Sequence, residues 1–169
     1  LKALEEQDIK GLIIDVRGNP GGKLSSAADI LDLFLGKNKV LYRIETKDKV
    51  EKIYSKNKEK RKYPIVILTD CGSASASEIL AISLKENYEN ATVVGTTTYG
   101  KGTVQKAFPL SSGSTVKYTT QKWLTPKGEW LNDVGVTPDV VVEQSEVYYQ
   151  TQNELDDVQL QKAIEILKK

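Results

Sequence analysis

Three short stretches of this chain concentrate residue types that do chemistry. Cys71-Gly-Ser-Ala-Ser-Ala-Ser-Glu78 sets three serines among small residues, and Gly95-Thr-Thr-Thr-Tyr-Gly-Lys-Gly-Thr103 holds Lys101 between two glycines. Arg17-Gly-Asn-Pro-Gly-Gly22 supplies adjacent glycine N–H groups. The second stretch comes close to a phosphate-binding loop, G-x-x-x-x-G-K-S/T, with the hydroxyl residue one place late. Such a loop also needs a helix after the lysine, its N-terminus facing the phosphates. Here VQKAFP runs into Pro109 and then the turn SSGS, which leaves no room for that helix.

The alternative is acyl transfer. A serine nucleophile needs a base to take its proton. The chain contains no histidine, which removes Ser-His-Asp and Cys-His catalysis and any His-ligated metal site. A lysine can serve when burial disfavours its ammonium form, and Lys101, after a buried strand and between glycines, is placed to point inward. The glycines of RGNPGG then offer N–H donors for an oxyanion. Each stretch also has an ordinary structural use. Ser75-x-x-Glu78 is a capping box, and Ser73 or Ser77 could equally cap the helix. A lysine in a glycine turn is commonly a surface residue, and RGNPGG is commonly a plain strand-to-helix turn.

The elements that must position these residues can be read from pattern. A short helix is expected at Leu1–Gln7, then a strand at Lys10–Val16 whose run GLIIDV reads as buried on both faces. A helix over Leu24–Leu35 has Ala27, Ala28, Leu31, Phe34 and Leu35 on its apolar side. Val40–Thr46 and Lys49–Tyr54 read as strands, Ser55–Lys62 as a lysine-rich surface loop and Pro64–Thr69 as a second buried strand. A helix at Ser77–Tyr88 and a strand at Thr92–Gly95 follow. Thr103–Phe108 and Ser114–Thr120 read as extended around a Gly113 turn, and Trp123–Val142 as a β-and-turn region. Asn153–Lys168 reads as an amphipathic helix with Leu155, Val158, Ile164 and Leu167 on one side. Strands alternating with helices in this way give an α/β class with parallel strands.

Composition narrows the function classes. With 169 residues the chain suffices for one domain with a core. Its 39% hydrophobic and 28% charged residues are those of an ordinary globular protein, and no apolar run is long enough to span a bilayer. A net charge of +1 argues against a nucleic-acid groove. The single cysteine allows no internal disulfide, and the absence of methionine implies a piece of a longer polypeptide.

DVRGNPGG, GSASASEIL, VVGTTTYGKGTVQ and GVTPDVVV, in this order, resemble the C-terminal processing (tail-specific) proteases, serine peptidases with a Ser–Lys dyad. The resemblance runs from about Lys10 to the end. It implies a crotonase/ClpP-like spiral α/β core with a C-terminal β region, residues 1–169 forming a peptidase core truncated at its N-terminus. It implies Ser75 as nucleophile, Lys101 as general base and Gln105 as the residue orienting that lysine. Backbone N–H groups of Ala76 and of one of Gly21 and Gly22 would form the oxyanion hole. No cofactor or metal is implied. The implied partners are a protein or peptide substrate and a PDZ domain elsewhere in the full-length chain, with homo-oligomers possible and a location outside the cytoplasm. Three rivals stay open here: a peptidase-like domain that binds peptides without cutting them, a nucleotide-binding protein and an acyl-CoA enzyme of the crotonase type.

Overall fold

The computed structural model describes residues 1–58 and 61–168. A one-turn helix, α1 (Lys2–Glu5), leads into β1 (Leu12–Asp15), α2 (Leu24–Asp32), β2 (Val40–Glu45) and β3 (Val50–Tyr54). Then come β4 (Ile65–Thr69), α3 (Ala76–Asn87) and β5 (Ala91–Gly95). The hairpin β6 (Thr103–Pro109) and β7 (Thr115–Leu124) precedes a short β8 (Val140–Val141). α4 (Glu146–Thr151), a 3₁₀ turn at Glu154–Asp156 and α5 (Val158–Leu167) close the chain. The expected loop Ser55–Lys62 includes residues 59 and 60, which lie outside the described residues.

The strands form two sheets. One has the order β1-β4-β5-β8 and every neighbouring pair in it is parallel. The other, β3-β2-β7-β6, is antiparallel throughout. The α/β class with parallel strands is thus as the pattern indicates. In β4 all five residues are buried because the sheet is covered on both faces. Ile65 and Ile67 pack into the main core with Leu31 of α2, Phe34 just beyond it, and Ile79 and Leu84 of α3. Val66 and Leu68 face the other way, onto Ala163, Leu160 and Leu167 of α5. Burial of each such side chain favours folding by roughly 1.5–3 kcal/mol.

Three expectations need correction. GLIIDV is not fully buried on both faces: β1 is an edge strand, Leu12 to Ile14 are half-buried and Asp15 is exposed. The terminal helix is shorter than Asn153–Lys168 and turns a different face inward. Leu155 is 79% exposed and Val158 39% exposed, while Gln159 and Ala163 are buried. Asp157 breaks the run as N-cap of α5, accepting from Leu160 N–H, so Leu155 belongs to a separate turn. Finally, α4 lies where no element was expected, capped by Ser145, whose hydroxyl accepts from Tyr148 N–H at 3.1 Å.

Candidate active site

The parallel strands β1, β4 and β5 end on one side of the sheet, and the three chemically suggestive stretches leave from those ends. After β4 the chain turns at Asp70–Ala74. Asp70 Oδ1 accepts from Gly72 N–H at 2.9 Å and from Gly18 N–H at 2.8 Å, lacing this turn to the Arg17–Gly22 loop. The Ser73 hydroxyl is buried and donates to the Val16 carbonyl at 2.8 Å, so it is a structural tie. Ser77 is buried in the first turn of α3. Of the three serines only Ser75 is half-buried, and it stands at the helix N-cap with φ +56°. That region is uncommon for a residue with a side chain and costs about 1–3 kcal/mol unless its surroundings impose it.

Two neighbours impose it. One is Gly21, at φ +94°: a Cβ there would sit 2.5 Å from the Ala74 carbonyl oxygen and 2.8 Å from the Ala76 nitrogen. Only glycine lets the RGNPGG loop lie so close to Ser75. The other is Glu78. Its carboxylate is fully buried and takes four donors. Oε2 accepts from Ser75 N–H at 2.7 Å and from Lys101 N–H at 2.9 Å. Oε1 accepts from Gly100 N–H at 2.7 Å and from the Thr98 hydroxyl at 2.6 Å. The backbone nitrogens of Ser75 and Lys101 therefore hang from one oxygen atom. Ser75 and Lys101, separated along the chain by all of α3 and all of β5, are brought together by this carboxylate. The Ser75–Glu78 capping box is present, but capping accounts for only one of these four bonds.

Lys101 is half-buried and is carried into β6, not into a helix, which removes the geometry a phosphate loop requires. Its carbonyl accepts from Trp123 Nε1 at 2.6 Å. Gly102 packs so tightly that a Cβ would lie 2.6 Å from Trp130 Nε1, and its N–H donates to Asn132 Oδ1 at 3.1 Å. Among the described residues, no carboxylate forms a salt bridge with Lys101. Gln105 lies exposed on β6, just past a register shift between Val104 and Gln105. Among the described residues its side chain makes no hydrogen bond to Lys101.

The two candidate oxyanion glycines are in different situations. Gly21 N–H already donates to Asn19 Oδ1 at 2.9 Å. Gly22 N–H and Ala76 N–H donate to nothing among the described residues. Both residues line a small cleft of about 150 Å³ whose walls include Val16, Ala27, Ile30 and Leu80. A wider cleft of about 410 Å³, lined by Pro20, Ala74, Tyr99, Lys101 and Asn132, lies on the Lys101 side. No group of three His, Cys, Asp or Glu among the described residues is placed to hold a metal ion.

Beside the site, Arg17 anchors the RGNPGG loop. Its guanidinium donates to Asp15, to Asp157 (2.9 and 2.8 Å) and to Gln159 (3.0 Å). Burial works against the charged form of Arg17, but the hydrogen bonds of Asp15 and Asp157 outweigh it and hold the guanidinium above its ordinary pKa. Burial likewise tends to raise Asp157. The bonds from Arg17, Leu160 N–H and Gln144 prevail and leave its pKa below the ordinary carboxylate value.

Of the residues singled out in the sequence, Gly21 packs against Ser75 and Ala76, the backbones of Ser75 and Lys101 share the Glu78 carboxylate, Gly22 lines a cleft with Ala76, and the Gln105 side chain stays exposed. The sequence pattern marked Glu78 only as a capping residue and did not single out Thr98, Trp123 or Asn132. The signal for Glu78 was present in Ser75-x-x-Glu78; its bonds to residues 98–101 are tertiary and have no local signature.

The family model described as peptidase family S41 matches residues 1–142. The chain is 46% identical over 151 residues to a carboxy-terminal processing protease, CtpB, of Bacillus subtilis, covering 88% of this chain and 31% of that protein. It is 38% identical over 167 residues to a carboxyl-terminal-processing protease of Synechocystis, covering 99% of this chain and 39% of the relative. A solved photosystem II D1 C-terminal processing protease superposes with a TM-score of 0.75 at 32% identity, over 83% of this chain and 36% of that one. The chain thus spans about a third of the length of the curated relatives it matches.

Proposed function

The chain belongs to peptidase family S41, and from that premise we propose that it carries the catalytic residues of a serine endopeptidase of the C-terminal processing type. Ser75 Oγ attacks a peptide carbonyl while Lys101 Nζ takes its proton. The tetrahedral oxyanion is received by Ala76 N–H and Gly22 N–H. Lys101 then gives the proton to the departing amine, leaving an acyl-enzyme on Ser75. Water attacks the ester while Lys101 accepts its proton; the bond from the carbonyl carbon to Ser75 Oγ breaks, Lys101 returns the proton to that oxygen, and the freed acid leaves. Gln105 orients Lys101, which in the resting geometry requires its side chain to turn inward past the bulge of β6. The observation that carries the reading is the shared Glu78 oxygen beneath Ser75 and Lys101.

The oxyanion assignment rests on availability. A donor already engaged with Asn19 cannot serve without breaking that bond, so Gly22 supplies the N–H and Gly21 supplies close packing. The 150 Å³ cleft beside these donors, walled by aliphatic side chains, suits a small apolar side chain next to the scissile bond. The substrate is a protein or peptide, its C-terminal tail presented by a PDZ domain elsewhere in the intact protein. A location outside the cytoplasm follows the family resemblance, and no described helix is long and apolar enough to cross a membrane.

Peptides ending in small apolar residues, incubated with the intact protein, test this. Cleavage that disappears in Ser75→Ala while the peptide still binds is the expected result. Equal binding by parent and variant with no cleavage by either would support a peptide-binding domain instead.

A further inference from the structure

Glu78 is a buried carboxylate without a cation: no salt bridge among the described residues includes it. Burying such a charge is unfavourable unless hydrogen bonds replace its water. Four donors do so, and they are distributed two to each oxygen. This distribution is informative. A capping box tolerates Glu or Gln, because it asks for one acceptor. Here both terminal atoms must accept, and a glutamine would turn an NH₂ donor toward two donor groups. The site therefore demands the carboxylate for its contacts with the 98–101 loop, beyond the needs of the helix.

We propose that Glu78 is the positioning residue of the reaction: it sets the register between nucleophile and base. This rests on the reading of Ser75 and Lys101 as a dyad. Because one oxygen holds the backbones of both, neither can shift without moving the other or breaking a charge-assisted bond. The Thr98 hydroxyl locks the opposite oxygen and itself accepts from Val136 N–H at 2.7 Å, which ties the arrangement to the segment preceding β8. Glu78 touches no reacting atom. Its effect falls on the geometry of proton transfer and not on ligand binding.

The test uses the intact protein and a fluorophosphonate, with the maximal inactivation rate and the reagent's half-saturation concentration measured separately below the melting transition. In Glu78→Gln the maximal rate falls at least tenfold while the half-saturation concentration stays within twofold. A residue that only stabilised the fold would lower the melting temperature and leave the rate of the folded protein unchanged, and that result overturns the proposal. Should Glu78→Gln not fold, Thr98→Val decides: it keeps the carboxylate and removes one of its four donors. A clear fall in maximal rate is expected, and a rate within twofold of the parent overturns the proposal. Failure of the parent protein itself to label at Ser75 overturns the dyad reading along with this one, and is seen before any substitution is made.

Discussion

At position 21 a methyl group would lie 2.5 Å from the Ala74 carbonyl oxygen and 3.0 Å from Ser75 Cβ, on a backbone whose φ of +94° already disfavours a side chain. Gly21→Ala must therefore push the RGNPGG loop off Ser75. We expect a stability loss of about 1–3 kcal/mol by chemical denaturation and fluorophosphonate labelling at Ser75 below a tenth of the parent rate. Retained labelling with the stability loss would place Gly21 outside the site. At this scale the crowding of small residues and the absence of histidine point to a serine and to Lys101, but Ser75 is singled out among three serines by the family resemblance; the fold adds that it alone of the three is half-buried, at the N-cap of α3. The choice between Gly21 and Gly22 was not legible. It depends on which N–H is already engaged, and the Asn19 side chain decides that.

Lys101 is held from behind by the second sheet. Trp123, fully buried near the end of β7, donates its indole N–H to the Lys101 carbonyl, and Gly102 accepts from Trp123 N–H at 3.0 Å. Trp123→Phe keeps an aromatic ring but leaves that carbonyl without its partner. The expected cost is about 1–3 kcal/mol of stability, and thermal or denaturant unfolding measures it. The rate of fluorophosphonate labelling at Ser75 should fall with it; an unchanged rate would mean that β7 does not position Lys101. The sequence indicated this hairpin but ended its second strand at Thr120, short of Trp123, and so concealed the link. The terminal helix was misread for a related reason. The apolar residues Leu155 and Val158 fit a helical stripe, but the capping carboxylate of Asp157 starts α5 after Leu155, and the helix turns Gln159 and Ala163 to the sheet.

Across the whole molecule, a covered parallel sheet and an antiparallel sheet meet where β5 passes through Lys101 into β6. Ionic and hydrogen-bonded ties between distant segments make stability depend on pH at both extremes. Asp157 has a folded pKa below its ordinary value, so its contribution is present above the unfolded pKa, near 4. That contribution is lost as pH falls through the lower folded value. Burial, then the bond to Glu5, pushes the Tyr63 hydroxyl up to about 12. Its contribution is present below the unfolded pKa of roughly 10 and lost as pH rises toward 12. Melting temperatures measured across pH should show both declines. Asp157→Asn should flatten the acid side and Tyr63→Phe the alkaline side, and unchanged slopes would contradict these assignments. The layered α/β plan was readable from the alternation of strands and helices. The pairing of Arg17 with Asp157, 140 residues apart, was not readable from any local pattern.

Whether Lys101 activates Ser75 is decided by peptide mass spectrometry of the protein after treatment with a serine-directed fluorophosphonate at several pH values. A single adduct on Ser75 that is absent in Lys101→Ala is the expected result. An adduct on Ser73 or Ser77, or labelling of Ser75 that persists without Lys101, would contradict it.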